Sequence, residues 1–194
     1  MNFVTHLECS MTGERYEAGQ VHGLSKAGRP LLVRYDLEAL AKAIDKETLA
    51  KRTGGFWRYR EFLPVSHDEN VIRLGEVTTP LITLSSINEN LIVKDEGRLP
   101  TGSFKARGLA LAVSMAKELG LHHLAMPTNG NAGAAMAAYC SQAGMMSTVF
   151  CPDDTPDVNV REIALQGGDV YRVNGLINDC GKIVGEGVKS TGWF

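Results

Sequence analysis

One lysine occupies a position where its amine could act as a nucleophile. Lys105 follows a Thr-Gly-Ser sequence at residues 101–103, and the apolar side chains after it recur at helical spacing. This pattern predicts a helix over residues 104–119, with hydroxyl caps at its start and Gly120 as a left-handed cap. A cation is unfavourable in the first turn of a helix, so this position favours a nucleophilic amine. Such amines form Schiff bases with carbonyl compounds, most commonly pyridoxal phosphate, although a solvated lysine at a helix start would fit the same pattern.

A second polar turn follows the next predicted strand. Residues 128–133 (TNGNAG) lie between an apolar strand over 124–127 and a helix of small residues over 134–143. The loop offers backbone N–H groups, a hydroxyl and two carboxamides at a helix start, which suits a carboxylate or a phosphate. The same residues are ordinary turn formers, so this loop alone favours a structural role. We expect both polar turns at the carboxyl ends of neighbouring strands, 91–93 and 124–127, and together they predict one ligand site.

Both motifs resemble those of a known enzyme family. Residues 100–108 (PTGSFKARG) and 129–132 (NGNA) are similar to the cofactor-lysine and asparagine-loop motifs of the fold type II pyridoxal phosphate enzymes. Within that group, the chain most resembles the threonine synthase family. Residues 29–36, 75–81 and 174–182 extend the similarity over nearly the whole chain.

The resemblance implies roles for individual side chains. Lys105 would carry pyridoxal 5′-phosphate covalently, and Asn131 would hydrogen-bond the ring oxygen of the cofactor. Ser103 would either support the cofactor or cap the helix, while Arg107 would lie at the surface or pack on the sheet. The residues implied to bind the substrate carboxylate are Thr128, Asn129 and Gly130.

The implied activity is that of a lyase in threonine biosynthesis. O-phosphohomoserine and water would give threonine and phosphate, with Lys105 moving protons at the α and β carbons. A β-eliminating or β-replacing relative, such as threonine dehydratase or cysteate synthase, shares both motifs and remains an alternative. The glycine-rich loop that binds the cofactor phosphate in this family has no counterpart after Lys105. We therefore expect either a fragment of a longer enzyme or a truncated, non-catalytic half.

Alternating strands and helices predict the fold class. The order favours an α/β fold, a parallel sheet with flanking helices, of the tryptophan synthase β-like kind that the resemblance implies, and incomplete at its C-terminal half. A helix is expected over residues 35–52, and the aromatics after Gly54 and Gly55 are assigned to the core or an interface. The remaining strands are expected over 147–150 and 169–173, and the remaining helices over 158–166 and from about 176. The predicted domains are a degenerate ribbon-like segment over 1–35, a helical and irregular lead-in over 36–90, and a partial cofactor-binding domain over 91–194.

The N-terminal segment looks like a zinc ribbon without its ligands. Cys9 begins one knuckle in which Thr12 stands at the second cysteine position, and no cysteine lies near the second knuckle at residues 24–27. A structural zinc ion needs four thiolate or imidazole ligands, so no metal site is predicted. The four widely spaced cysteines predict reduced thiols rather than a disulfide framework.

Composition limits the classes of partner that the chain could bind. The net charge of −2 and the hydrophobic content of 44% are typical of a globular protein. The sequence contains no basic cluster dense enough for nucleic acid or an anionic membrane. No apolar run of membrane-spanning length and no targeting signal is evident, so a cytoplasmic enzyme with a small-molecule substrate is expected. The family resemblance adds a homodimer as one assembly to consider.

Overall fold

The N-terminal part of the chain forms an antiparallel sheet. The computed structural model describes residues 2–194, beginning with β1 (Val4–Cys9), β2 (Arg15–Tyr16) and β3 (Leu31–Tyr35). The strands lie in the order β2-β1-β3, and both pairings are antiparallel. This sheet is separate from the parallel sheet described below.

The segments that connect the strands of this sheet meet at a buried thiol. The Cys9 Sγ lies 3.0 Å from the Ser25 Oγ and accepts a hydrogen bond from the Thr12 N–H at 3.5 Å. These contacts lower the pKa of Cys9 to about 7, with Ser25 contributing most. Among residues 2–194, no group of three or more His, Cys, Asp or Glu side chains is placed to hold a metal ion.

The expected single helix over residues 35–52 is instead two short ones. They are α1 (Leu37–Ala43) and α2 (Lys46–Lys51), and the carboxylate of Asp45 accepts the Thr48 N–H at 2.7 Å. This cap satisfies a free N–H at the start of a new helix, which is why the chain breaks there. Short 3-10 turns follow at Phe56–Phe62, Asp68–Asn70, Glu96–Arg98 and Pro100–Gly102.

One predicted strand lies outside the parallel sheet. β5 (Ile92–Lys94) pairs antiparallel with β4 (Leu81–Thr83) in a separate two-stranded sheet. The parallel sheet contains β6 (His123–Pro127), β7 (Met146–Pro152) and β8 (Asp169–Val173), in that order. The expectation that the strands before the two polar turns are neighbours was therefore wrong, because β5 finds its hydrogen-bond partner in the residues that precede it.

The predicted helices of the α/β unit are all present. They are α3 (Lys105–Glu118), α4 (Asn131–Ala143), α5 (Asp157–Leu165) and α6 (Ile177–Ser190). Gly120 has φ +72°, which confirms the left-handed cap after α3. Helix α4 begins three residues before the predicted start, so the second half of the TNGNAG loop is helical.

Helix α4 lies at the centre of the core. Its residues from Gly133 to Cys140 are all buried, and it packs against α3, α5 and the strands beneath. Gly133 makes the approach to the sheet possible, because a Cβ there would lie 2.6 Å from the Thr128 Cγ2 and 3.0 Å from the Val149 Cγ1. Small side chains along α4 therefore set the distance between the helix layer and the sheet.

The last residues return to the edge of the parallel sheet. The Phe194 N–H donates to the His123 carbonyl at 3.1 Å, and the Ala125 N–H donates to the Phe194 carbonyl at 2.8 Å. The Trp193 indole ring lies directly over Gly187 and leaves no room there for a Cβ. These contacts cover part of an otherwise open strand edge at β6.

Each of the four cysteines is free and at most 1% exposed, as the spacing predicted for reduced thiols. Burial raises the pKa of Cys140 to about 12.

Within residues 2–194, no helix combines the length and the apolar character that crossing a bilayer requires.

Replacing Gly133 with alanine is expected to destabilise the fold. The new methyl group would overlap the Thr128 side chain, and overpacking of this kind costs about 1–3 kcal/mol. Gly108→Ala is the matched control, because Gly108 lies in α3 and a methyl group there would meet nothing within 4 Å, so alanine should stabilise the helix by roughly 0.5–1 kcal/mol. Urea denaturation followed by circular dichroism measures both changes, and equal midpoints for the two variants would contradict the packing argument.

Candidate cofactor site

Three helices begin at one cavity. This cavity has a volume of about 380 Å³ and is lined by Lys105 and Asn131, the first residues of α3 and α4, and by Asn159 in the first turn of α5. The other lining residues are Thr128, Asn129, Gly130 and Ala132. The structure thus brings together the lysine and the asparagine loop that the sequence placed at one ligand site.

The starts of these three helices carry no side-chain cap. Phe104, Gly130 and Pro156 stand at the capping positions of α3, α4 and α5, and none of them accepts a first-turn N–H through its side chain. By contrast, Asp36 and Asp45 cap α1 and α2. Uncapped N–H groups and the positive ends of the helix dipoles favour an anion, and no carboxylate among residues 2–194 lines the cavity. The cavity is therefore suited to a carboxylate or phosphate group.

The polar loop is held in shape by its own threonine. The buried Thr128 hydroxyl accepts the Gly130 N–H at 3.2 Å and lies 3.3 Å from the Gly130 carbonyl. The Thr128 N–H in turn donates to the Phe150 carbonyl at 3.0 Å, which ties the loop to β7. The hydroxyl expected to bind substrate is thus engaged within the loop, whereas the side chains of Asn129 and Asn131 are exposed at the cavity.

Asn159 is a lining residue that the sequence reasoning missed. Its Nδ2 donates to the Asn131 Oδ1 at 3.3 Å, and a Cβ at Gly130 would lie 3.1 Å from the same Nδ2. The signal was present, because Asn159 lies in the first turn of the helix that follows β7, the strand beside β6. In open parallel sheets, ligands bind at the carboxyl ends of neighbouring strands, and this rule points to the first turn of α5.

Ser103 does not cap α3, contrary to one of its two expected roles. Its side chain is buried, and its Oγ has no hydrogen-bond partner in the described chain. Thr101 has φ +60° and a hydroxyl that is likewise buried and unpaired among residues 2–194. Unpaired buried hydroxyls are costly, but neither Ser103 nor Thr101 is among the residues that line the Lys105 cavity.

A charged network anchors the segment that carries the lysine. Arg107, expected at the surface or against the sheet, forms a bidentate ion pair with Glu96, with Nε–Oε2 and Nη2–Oε1 distances of 2.6 and 2.8 Å. The buried Thr79 donates to the same carboxylate at 2.7 Å and accepts from the Lys94 Nζ at 2.6 Å. Arg107 holds the pKa of Glu96 at about 2. These bonds connect the first turn of α3 to the β4–β5 hairpin.

The chemistry of the cavity fits pyridoxal phosphate. Lys105 is half-buried, its Nζ lies 4.5 Å from the Phe104 ring centroid, and it supplies the single amine at the cavity within the described chain. Carboxamides and uncapped N–H groups provide donors for oxygen atoms of an anionic aromatic cofactor. The lining residues that would hold the cofactor are Lys105 and Asn131. Ser103, expected to support the cofactor, does not line the cavity.

Comparison with known proteins identifies the class. Residues 72–194 match the family described as Pyridoxal-phosphate dependent enzyme, so the chain belongs to this family. Pyridoxal 5′-phosphate is accordingly its cofactor, as the resemblance of the lysine and asparagine motifs implied.

Within this class, the chain is similar to threonine synthases. It is 32% identical to the enzyme of Methanocaldococcus jannaschii over 177 residues, which cover 88% of this chain and 44% of the synthase. It is 34% identical to the enzyme of Methanosarcina acetivorans over 181 residues, which cover 90% of this chain and 44% of the synthase. The chain therefore spans less than half the length of these relatives.

Solved structures share the fold. Diaminopropionate ammonia lyase from Escherichia coli matches with a TM-score of 0.58 and 20% identity, over 68% of this chain and 43% of the lyase. Maize serine racemase matches with a TM-score of 0.55 and 22% identity, over 59% of this chain and 36% of the racemase. These likenesses support the α/β fold that was predicted, with a parallel sheet and flanking helices.

Glu96→Gln is expected to remove a pH-dependent contribution to stability. The pKa of Glu96 falls from 4.5 to about 2 on folding, so its stabilisation is present above pH 4.5 and is lost as the pH falls towards 2. The side chain is 24% exposed, and we expect the variant to lose about 1–2 kcal/mol of unfolding free energy at mildly acidic pH. Denaturant titrations across this pH range should show the unfolding free energies of the variant and the wild type converging at the acid end. Glu186→Gln, at an exposed carboxylate of α6, is the control. If the stability difference between Glu96→Gln and the wild type is as independent of pH as that of the control, the assignment is contradicted.

Proposed function

We propose that the chain supplies the cofactor-lysine half of a pyridoxal-phosphate-dependent lyase of the threonine synthase type. The reaction would convert O-phosphohomoserine and water into threonine and inorganic phosphate. The observation that carries the proposal is the cavity at which Lys105 meets the loop from Thr128 to Asn131. The identity of 32% and 34% to two threonine synthases supports the choice of reaction.

The residues of this chain would divide the work between holding and proton transfer. Lys105 would hold the cofactor covalently and, once released, would carry protons between the α and β carbons of the substrate. When bound, the cofactor supplies an electron sink for the substrate carbon atoms. Asn131 would donate to a cofactor ring oxygen, and its own Oδ1 is oriented by the Asn159 amide at 3.3 Å.

The substrate carboxylate would bind at the start of α4. Asn129 and Gly130 line the cavity, where a helix start without a side-chain cap stabilises negative charge. The Gly130 N–H is already donated to the Thr128 hydroxyl, so Asn129 would supply the side-chain contact. Thr128 would act indirectly, because its hydroxyl holds the loop in the conformation that presents these groups. The Glu96–Arg107 pair would keep Lys105 in place at the other side of the cavity.

Attachment of the cofactor to Lys105 is the first test. Incubating the chain with pyridoxal phosphate, reducing with borohydride and mapping peptides by mass spectrometry should find the label at Lys105. Lys105→Ala should lose this label, because no other amine lines the cavity in the described chain. Lys117→Ala is the matched control, since Lys117 lies in the last turn of the same helix and is bonded to the Glu69 carbonyl. Labelling scattered over several lysines would reject the site.

The asparagines should contribute unequally to cofactor affinity. Asn131→Ala is expected to weaken pyridoxal phosphate binding by about 1–3 kcal/mol, the cost of leaving a buried partner unpaired. Asn159→Ala should weaken it less, because its amide acts through Asn131. Fluorescence or absorbance titration measures both affinities, and a larger loss in Asn159→Ala would reverse the assigned roles.

Substrate tests separate the lyase types. A chimera in which this chain replaces the matching part of the Methanocaldococcus jannaschii synthase should release phosphate from O-phosphohomoserine, and Lys105→Ala should reduce that rate by several orders of magnitude. Ammonia release from threonine in place of phosphate release would favour a dehydratase. A chimera that binds the cofactor at Lys105 but turns over neither compound would favour the non-catalytic half.

A further inference from the structure

A second cavity, separate from the lysine site, is lined by basic side chains. It has a volume of about 520 Å³ and lies between the end of α2 and the segment before β4. It shares no lining residue with the cavity at Lys105. The cationic side chains that line it are Lys51, Arg52, Arg58 and Arg73.

Most of this positive charge has no counter-charge in the described chain. Arg52 is neutralised by Glu61, with N–O distances of 2.6 and 2.7 Å. Across residues 2–194, no carboxylate lies within ion-pair distance of Lys51, Arg58 or Arg73. Three unpaired cations therefore line one cavity in a protein whose net charge is −2. Like charges held together raise the local potential and favour a bound anion.

The one carboxylate in the lining, within the part of the chain that the structure describes, is already engaged. Glu76 is buried, and its Oε1 accepts the Tyr139 hydroxyl at 2.5 Å and the Leu74 N–H at 3.0 Å. The Glu76 carboxylate is thus hydrogen-bonded to Tyr139 of helix α4 and to the backbone of its own loop. Its charge offsets only part of the positive charge that surrounds the cavity.

The guanidinium groups are supported by aromatic rings. The Arg73 Cζ lies 5.7 Å from the Trp57 ring centroid, and the Arg58 Cζ lies 4.6 Å from the Tyr59 ring centroid, with one Arg58 N–H donated to the Tyr59 hydroxyl. Trp57 also lines the cavity and is 5% exposed, with an Nε1–H that has no acceptor among the described residues. Stacking limits the movement of a guanidinium and leaves its remaining N–H groups free for contact with an oxyanion.

Three glycines, Gly54, Gly55 and Gly75, also line the cavity. Gly54 and Gly75 have φ +94° and +83°, and nothing lies within 4 Å of the position of a Cβ at either residue. Between them, the Gly55 N–H donates to the Glu76 carbonyl at 3.1 Å, so the two chain segments are joined at the back of the cavity. This hydrogen bond connects the segment that carries Arg52 and Arg58 to the segment that carries Arg73.

We propose that this cavity binds a phosphate-type dianion, either inorganic phosphate or a phosphate monoester. Arg73 and Arg58 would provide the guanidinium N–H contacts, and Lys51 would add a third charge. A planar guanidinium matches the oxygen atoms of phosphate better than a lone ammonium does, which favours this class of anion over a simple halide. The site is independent of the reaction proposed above, because none of its residues faces the Lys105 cavity.

Calorimetric titration of inorganic phosphate into the full chain at low ionic strength tests the site. Saturable binding is expected, and Arg73→Gln and Arg58→Gln should each weaken it roughly tenfold or more, the scale of a lost charged hydrogen bond. Arg73→Lys should recover part of the affinity because the charge is kept. Arg15→Gln, at an exposed arginine of β2, should bind as the unaltered chain does.

Comparing the affinities of two phosphate compounds distinguishes the two sources of the anion. Tighter binding of glycerol 2-phosphate than of phosphate would indicate a monoester ligand, and the reverse order would indicate free phosphate; both uphold the site. The proposal is overturned if the chain shows no saturable phosphate binding, or if Arg73→Gln and Arg58→Gln bind like the control. Binding that is lost in Asn131→Ala but kept in Arg73→Gln would locate the anion at the Lys105 cavity and would also overturn it.

Discussion

The close contact between α4 and the parallel sheet is the constraint on which the cofactor site depends. Gly133 lets the helix approach the side chains of Thr128 and Val149, and Thr128 is the residue that closes the polar loop by hydrogen bonds to Gly130. The loop is therefore positioned by packing below it as much as by its own turn chemistry. Because α3 packs along α4, the same contact also determines where Lys105 meets the loop.

The helix starts around the lysine share an electrostatic design. Helices α1 and α2, which lie away from the cavity, are capped by aspartates, whereas α3, α4 and α5 begin at the cavity without a side-chain cap. The nearby carboxylate of Glu96 is paired with Arg107. The chain thus keeps negative side chains off the cavity surface and leaves backbone donors available to an anionic ligand.

Local pattern predicted the elements of the α/β unit, but not how the elements meet. The spacing of apolar residues located α3, the glycine at position 120 located its left-handed cap, and the alternation of strands and helices located β8. Each of these depends on residues close in sequence. The placement of β5 depends on pairing with β4, and the role of Asn159 depends on which strands are neighbours. Both are set by which elements pair with each other, and hydrophobic periodicity does not encode that choice. The unpaired Ser103 hydroxyl escaped prediction for the same reason, since capping was judged from residue type alone.

The buried thiols can report which part of the molecule opens. Cys9 belongs to the N-terminal antiparallel sheet, whereas Cys140, Cys151 and Cys180 lie in α4, β7 and α6. An alkylating reagent reaches such sulfur atoms only when the surrounding structure separates, since enclosed thiols are inert. Mass spectrometry of alkylated peptides would therefore distinguish opening of the N-terminal sheet from opening of the α/β unit, without any introduced probe.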